Sequence, residues 1–312
     1  MPKSESKDSF FHFMGYKTLY IRDSEKLRLY LDNLVVETPK GELRFLISDL
    51  KYLIIDNYKT VMSTQLINKL TENNVALVLC DLSHLPTTQL IPLNGHYASS
   101  SVIKKQIEWN KELKQLIHAE IIKEKIQSQI EILRLNHKNQ AVIERMKEFK
   151  NEVDISDSGN REGLAAKMYF RELFDKDFIR FDDDITNAGL NYGYAVFRSL
   201  ISSIIVSKGL LLNLGIFHRG PSNQFNLADD IIEIYRPLVD NYVYNNLLHE
   251  KILTKEHREN LIKLTDLKIE YNGQMHTITN TIEMYIESII RCFDNNSIDD
   301  LCIPSLKRIN DL

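Results

Sequence analysis

The sequence GNREGLAAKMYF at residues 159–170 opens a stretch that continues through LGIFH at 214–218 to FNLADDIIEIYRP at 225–237. The loop before residue 160 and the apolar spacing after it predict a helix over 161–174, with Glu162 in its first turn. His218 lies in sequence between this acid and the acids Asp230 and Glu233. Carboxylates and imidazole bind divalent metals, so the stretch suggests a metal-dependent site acting on phosphate esters.

Helical phase separates the acids near the end of this stretch. Asp230 and Glu233 are three residues apart and share one helix face, whereas Asp229 points about 100° away from Asp230. Only the first two can meet the same ion. Asn226 is a good N-cap, and an acid three residues later interacts well with free amides, so we expect a structural role for Asp229.

Each candidate ligand also has a purely structural interpretation. Glu162 could be a first-turn acid favoured by the helix dipole, and His218 a hydrogen-bonded histidine beside the Gly220-Pro221 turn. Spacing alone does not decide between these interpretations. If the groups do converge, a set of two carboxylates and an imidazole without a thiolate suits Mn²⁺ or Mg²⁺, and the nitrogen ligand favours Mn²⁺. The sequence has no P-loop, dinucleotide-binding fingerprint, HExxH motif or nucleophile elbow.

Hydrophobic periodicity changes along the chain. Alternating apolar residues up to Cys80 predict short strands, interrupted by a helix that Ser63 caps, and the Pro- and Ser-containing segment 84–101 predicts a linker. After Val102 the period is helical, apart from a hairpin around Asn272-Gly273 followed by a helix over 281–293. We therefore predict an α+β protein. A disordered extension at residues 1–13 precedes a small β-rich N-terminal domain at 14–98 and a larger, mainly α-helical catalytic domain at 99–312.

Composition narrows the class of protein. The 312 residues are 43% apolar, which is typical of an ordinary soluble globular protein. The three cysteines are scattered, which favours a reducing, cytoplasmic setting over a disulfide framework. No signal peptide is apparent, and the most apolar run, 200–217, is broken by Lys208, so we expect no membrane segment.

Charge allows a nucleic-acid ligand without requiring one. The net charge of −4 excludes a uniformly basic DNA coat, yet residues 104–150 contain 11 Lys and Arg against 7 Glu. This segment is either a solvated helix face or a track for a DNA backbone. The basic candidates for contact with DNA are Lys104, Lys105, Lys123, Lys125 and Arg219.

Four ordered motifs resemble those of the CRISPR-associated integrase, in the version found in type II systems. They are GNREGLAAKMYF at 159–170, ITNAGLNYGY at 185–194, LGIFH at 214–218 and ADDIIEIYRP at 228–237. The resemblance extends from about Met14, through NNVALVLCD at 73–81 and LNGH at 93–96, to the C-terminal region. Many relatives carry Asp where Glu233 stands.

The resemblance implies both a fold and an activity. It implies a homodimer formed mainly through the β-rich domain, a metal held by Glu162, His218 and Glu233, and Asp230 as a further catalytic acid. It also implies double-stranded DNA as ligand, both as the incoming fragment and as the leader and repeat. A small adaptation protein would join in a larger complex, with other type II adaptation and effector proteins as further partners.

Three functions remain open from the sequence. The first is an integrase that joins 3'-hydroxyl ends of short DNA fragments to the CRISPR repeat array by transesterification. The second is a structure-selective nuclease that uses the same site on branched DNA, with water as the nucleophile. The third is a non-catalytic scaffold that bridges DNA, in which the carboxylates only cap helices.

Overall fold

The computed structural model describes residues 11–14, 18–23, 26–38, 41–82, 84–92, 96–155, 157–180 and 182–306. The chain divides into two compact units, residues 1–97 and residues 98–312. The first is mainly strands and the second mainly helices. The predicted α+β class, with a small β-rich part before a larger helical part, is confirmed.

The first unit contains strands and one helix in its described residues. In chain order they are β1 Phe11–Met14, β2 Thr18–Ile21, β3 Lys26–Tyr30, β4 Asn33–Thr38, β5 Gly41–Leu46, β6 Tyr52–Ile55, β7 Val61–Met62, α1 Thr64–Glu72, β8 Ala76–Cys80 and β9 Pro86–Leu90. Ser63 caps α1 as predicted, because its side chain accepts a hydrogen bond from the Leu66 amide at 3.2 Å.

Two sheets form this unit. One has the strand order β1-β2-β6-β8-β9, with β2, β6 and β8 parallel, and the other has the order β5-β4-β3-β7. Every residue of β2 and β6 is buried, which is typical of strands covered on both faces. Their apolar side chains share a core with Leu66 and Leu70 of α1.

Two sequence predictions about this unit need correction. Residues 11–13 of the predicted extension belong to β1, which satisfies its backbone groups by antiparallel pairing with β2, while residues 1–10 lie outside the described residues. The predicted linker at 84–101 contains strand β9, which pairs with β8. Pro86 is compatible with this strand because it is the first residue of an edge strand.

The second unit consists of helices with one hairpin in its described residues. The helices are α2 Ser99–Ile107, α3 Lys111–Leu135, α4 Gln140–Asn151, α5 Arg161–Leu173, α6 Ile185–Ser207, α7 Asn226–Ile232, α8 Arg236–Leu247, α9 Lys255–Lys263 and α10 Ile278–Asn295, and the strands are β10 Lys268–Tyr271 and β11 Gln274–Thr277. The predicted hairpin is confirmed, with Asn272 and Gly273 at φ of 51° and 77°. In the described ranges, none of the helices has the length and apolar character needed to cross a bilayer.

Helix α3 contacts the helices that carry the ends of the motif stretch. It packs against α4, α5, α7 and α8, and many of its side chains are buried along its whole length. A core around Ile126, Ile130 and Tyr169 holds α3 and α5 together. This packing places the first turn of α5 and the helix α7 on the side of α3 that carries Lys125.

The polar residues inside α6 are explained by one arginine. Arg180 donates to Asn187 Oδ1 and to Asn191 Oδ1, each at 2.9 Å. Asn187 also donates to the Ile179 carbonyl at 2.9 Å. These amides therefore fix the preceding loop onto the helix, which apolar residues at the same positions would not do.

Candidate metal centre

Glu162 is held by the capping arrangement that starts α5. Asp157 accepts hydrogen bonds from the amides of Arg161 at 2.8 Å and Glu162 at 3.1 Å. Asn160 has a left-handed conformation with φ of 48°, which turns the loop into the helix. A Cβ at Gly163 would lie 2.6 Å from Asn160 Oδ1, so a larger residue there would require the Asn160 side chain to move. The carboxylate of Glu162 is thus presented from a fixed first turn.

His218 is oriented by Asp230, which lies on α7. His218 Nδ1 is 2.8 Å from Asp230 Oδ1, and the hydrogen bond makes Nδ1 the donor when Asp230 is ionised. The two Asp230 oxygens also accept from the amides of Ile216 at 2.5 Å, Phe217 at 3.1 Å and His218 at 3.0 Å. Asp230 is buried with its acceptor capacity occupied, while Nε2 of His218 is left available.

The contact with Asp230 also shifts the pKa of His218. The hydrogen bond that His218 donates to Asp230 raises the pKa of His218, although burial opposes this shift, and the charges of Asp230 and Glu233 raise the pKa further. Asp230 therefore stabilises positive charge on the ring, whether that charge is a proton or a bound cation.

Gly215 allows the loop to wrap around Asp230. A Cβ at this position would lie 2.5 Å from the backbone carbonyl oxygen of His218 and 2.8 Å from Asp230 Oδ2. The first neighbour is backbone and cannot rotate away. The glycine of the LGIFH motif is therefore required by the close approach of this loop to α7.

Replacing Gly215 with alanine is expected to destabilise the protein. The added methyl must displace the loop, so we expect the free energy of unfolding to fall by about 2–4 kcal/mol, measured by urea denaturation. Gly220→Ala is the matched control, since its Cβ would meet Asn223 Cβ at 3.3 Å, and we expect it to cost under about 1 kcal/mol. Equal stability of the two variants would contradict this account.

Glu233 is buried between two cations. It follows α7 directly, and its Oε1 accepts from Arg236 Nε at 3.0 Å. Its Oε2 is buried and lies 2.5 Å from Lys125 Nζ as an ion pair. Burial opposes ionisation of Glu233, but Arg236 and Lys125 outweigh it and lower the pKa of Glu233 to about 2. The carboxylate is therefore charged at neutral pH.

Lys125 connects the two ends of the motif stretch. Its Nζ lies 2.6 Å from Glu162 Oε1 as well as 2.5 Å from Glu233 Oε2, and the side chain is 13% exposed. Carboxylates that are 71 residues apart in sequence thus face one cation. Among the described residues, no three His, Cys, Asp or Glu side chains form a ready cluster for a metal.

Basic cavities lie along the loop that carries His218. One of about 240 Å³ is lined by Lys111, Lys114 and Arg219, with Phe217 stacked on His118 at 3.6 Å between ring centroids. A second, of about 440 Å³, lies between Lys114, Arg219 and His218. Burial lowers the pKa of Lys114, and the nearby charge of Arg219 lowers it further. These cavities could hold an anionic chain beside His218.

The structure places the remaining sequence candidates as follows. Asn226 is not the N-cap of α7: that position belongs to Phe225, and Asn226 donates instead to the carbonyls of Asn213 at 3.0 Å and Gly220 at 3.2 Å. Asp229 accepts from Asn223 Nδ2 at 2.8 Å, in a structural contact. Of the basic candidates, Lys105 pairs with Asp294 and Lys123 with Glu120, whereas Arg219 lines both cavities.

Sequence reasoning missed the roles of three residues. Asp157 positions Glu162, Arg236 holds Glu233, and Lys125 joins the two carboxylates. A signal for Lys125 was present, because it falls beside Ile121, Ile122 and Ile126, on a face of α3 that is buried. A lysine on a buried face needs anions close by.

Family and sequence comparisons give the relatives of the chain. The family model described as "CRISPR associated protein Cas1" matches residues 19–271. A CRISPR-associated endonuclease Cas1 of Neisseria meningitidis serogroup C (strain 8013) is 30% identical over 296 residues, covering 94% of this chain and 97% of that protein.

Solved structures resemble the chain in fold. A chain of a Cas6-RT-Cas1–Cas2 complex matches with a TM-score of 0.73 at 18% identity, over 96% of this chain and 37% of that one. A casposase bound to integration product matches with a TM-score of 0.69 at 18% identity, over 95% of this chain and 96% of that one.

Proposed function

The chain belongs to the Cas1 family of CRISPR-associated proteins, and we propose that it is a metal-dependent DNA integrase and endonuclease of CRISPR adaptation. In this proposal it joins the 3'-hydroxyl ends of short DNA fragments to the CRISPR repeat array by transesterification. The observation that carries the proposal is the pair of carboxylates, Glu162 and Glu233, that share one cation beside the oriented imidazole of His218.

The donor set fits a divalent metal. Glu233 Oε2 is a buried, ionised oxygen whose partner is the ammonium of Lys125, and Glu162 Oε1 faces the same cation. His218 Nε2 can supply a nitrogen ligand because Nδ1 is engaged by Asp230. Oxygen and nitrogen donors without a thiolate favour Mn²⁺ or Mg²⁺. Bound there, the ion would stabilise charge on a phosphoryl oxygen and orient the attacking hydroxyl.

Neighbouring side chains fix the positions and charges of the proposed metal ligands. Arg236 and Lys125 keep Glu233 ionised, and the capped start of α5 fixes Glu162. Asp230 acts through His218, which makes it a positioning residue in this proposal, because its oxygens are occupied by backbone amides and the ring. Phosphoryl transfer needs positioning and charge stabilisation more than covalent chemistry, and these residues supply the positioning.

The basic cavities suggest where the DNA strand enters. Lys114 and Arg219 line both cavities, His218 lines the cavity of about 440 Å³, and Lys111 lines the cavity of about 240 Å³. Phosphates of the strand would pair with these cations, and a base could stack on Phe217, which is 49% exposed. A strand placed in this way would pass beside His218.

The proposed partners follow from the names of the relatives. One is called a CRISPR-associated endonuclease, and two fold neighbours are a Cas1–Cas2 complex and a casposase bound to integration product. We propose that this chain likewise binds prespacer and leader-repeat DNA and assembles with a small Cas2-type protein. We further propose a homodimer formed through the β-rich unit, in a type II system with its other adaptation and effector proteins as partners.

A 3'-end substitution tests the reaction. Purified protein, its small partner, Mn²⁺, a short duplex and a repeat-bearing target are expected to give joined product with a 3'-hydroxyl and none with a 3'-hydrogen, measured on a sequencing gel. Cleavage that continues equally with 3'-hydrogen ends would favour the structure-selective nuclease. DNA capture that needs no divalent ion and yields no product would favour the scaffold.

A further inference from the structure

Lys125 makes both of its ion pairs to proposed metal ligands. Its Nζ is 2.6 Å from Glu162 Oε1 and 2.5 Å from Glu233 Oε2. The side chain comes from the middle of α3, beside the buried Ile122 and Ile126, so its ammonium reaches the carboxylates from the protein interior. It therefore lies within the proposed site and not on the surrounding basic surface.

The ammonium and a metal ion would need the same space. Metal–oxygen distances for Mg²⁺ are about 2.0–2.1 Å, and Nζ lies only slightly farther from the same two oxygens. Since one nitrogen touches both oxygens, the oxygens are at most about 5 Å apart, and two oxygens bound to one Mg²⁺ ion are at most about 4.2 Å apart. An ion held by Glu162 Oε1 and Glu233 Oε2 would collide with Nζ in its present position.

We propose that Lys125 is a resident cation that holds Glu162 and Glu233 together without metal, competes with the divalent ion, and moves onto a DNA phosphate when the ion binds. This inference rests on the proposed function, because it takes these carboxylates as the metal ligands. The four-carbon stem of lysine lets the ammonium move without displacing α3.

The proposal implies that metal binding and DNA binding are coupled. Metal alone must displace the ammonium, which then lacks an anion in a buried place. A DNA phosphate supplies that anion, so DNA is expected to tighten metal binding, and by reciprocity metal tightens DNA binding. The protein would thus hold its metal weakly until a substrate is present.

Metal titration of Lys125 variants tests the inference. Free Mn²⁺ is measured by electron paramagnetic resonance with wild type, Lys125→Gln and Lys125→Met, without DNA. Both variants are expected to bind Mn²⁺ at least about tenfold more tightly than wild type, since a competing charge is removed. Lys123→Gln is the matched control, because Lys123 lies on the same helix and pairs with Glu120 at 2.7 Å. It should stay within about twofold of wild type.

Thermal unfolding supplies a second readout. Without metal, Lys125→Gln is expected to melt below wild type because two carboxylates lose their counterion, and Mn²⁺ should raise its melting temperature more than that of wild type. Adding DNA should tighten Mn²⁺ binding by wild type but change Lys125→Met much less. Circular dichroism confirms that each variant is folded before titration.

The outcomes separate the two proposals. Mn²⁺ binding that requires Glu162 and His218 but is equal or weaker in both Lys125 variants overturns the inference and leaves the metal site intact. Mn²⁺ binding that ignores Glu162→Gln and His218→Gln, or is absent from every variant with and without DNA, overturns the proposed function and the inference with it.

Discussion

Glu233→Gln is expected to reduce strand joining by at least about a thousandfold, to below detection. The substitution removes a proposed metal ligand that Arg236 and Lys125 keep ionised. It also leaves those two cations with one anion fewer in a buried place, so the free energy of unfolding should fall by about 3 kcal/mol. Joining is measured with saturating Mn²⁺ at a temperature where the variant is folded.

Glu233→Asp separates charge from shape at this position. It keeps the carboxylate one methylene shorter, so we expect joining to persist, reduced by about 10- to 100-fold. The surface variant Glu250→Gln carries the same chemical change away from the site and should match wild type. Comparable joining by Glu233→Gln and Glu250→Gln would show that Glu233 is not a ligand.

Asp230→Asn is expected to have the second largest effect. The Asp230 carboxylate now accepts four hydrogen bonds, three from backbone amides and one from the imidazole. In the variant, the amide nitrogen of asparagine is itself a donor and would face either the backbone amides or the imidazole. We expect joining to fall by about 100-fold through misorientation of His218, and the free energy of unfolding to fall by about 3 kcal/mol. Asp229→Asn is the neighbouring control, because its contact is with Asn223.

A histidine titration distinguishes positioning from loss of stability. In wild type without metal, NMR should give His218 a pKa above its ordinary value, and in Asp230→Asn this pKa should fall. A raised pKa in the folded state stabilises the protein fully below the unfolded pKa of about 6.5 and loses that contribution as pH rises through the folded pKa. The stability gap between wild type and variant should therefore narrow as pH rises above about 6.5 and through the folded-state pKa of His218. An unchanged His218 pKa would contradict the positioning role.

Much of the fold could be predicted from the sequence because local signals agreed with the tertiary structure. Ser63 caps α1, the Asn272-Gly273 pair turns the hairpin, and helical periodicity begins where the second unit does. The errors arose where longer-range pairing mattered. Strand β9 was hidden by Pro86, and β1 by the polar residues before it, because edge pairing depends on a neighbour that periodicity does not reveal.

The candidate site could be predicted from the sequence only in part, for a similar reason. Helical phase separated Asp229 from Asp230, and the structure gives Asp229 a partner of its own. Spacing could not bring Glu162 to Glu233, because that meeting requires α5, α3 and the end of α7 to pack together. Nor could spacing show that Lys125 lies between Glu162 and Glu233, or that backbone amides donate to the oxygens of Asp230.

The most direct test of the central claim is anomalous diffraction from crystals of the protein with bound DNA soaked in Mn²⁺. We predict one strong peak within about 2.3 Å of carboxylate oxygens of Glu162 and Glu233 and of His218 Nε2, with Lys125 displaced. A Mn²⁺ peak held by other side chains, with the Lys125 ion pairs intact in crystals that still join DNA, would contradict it.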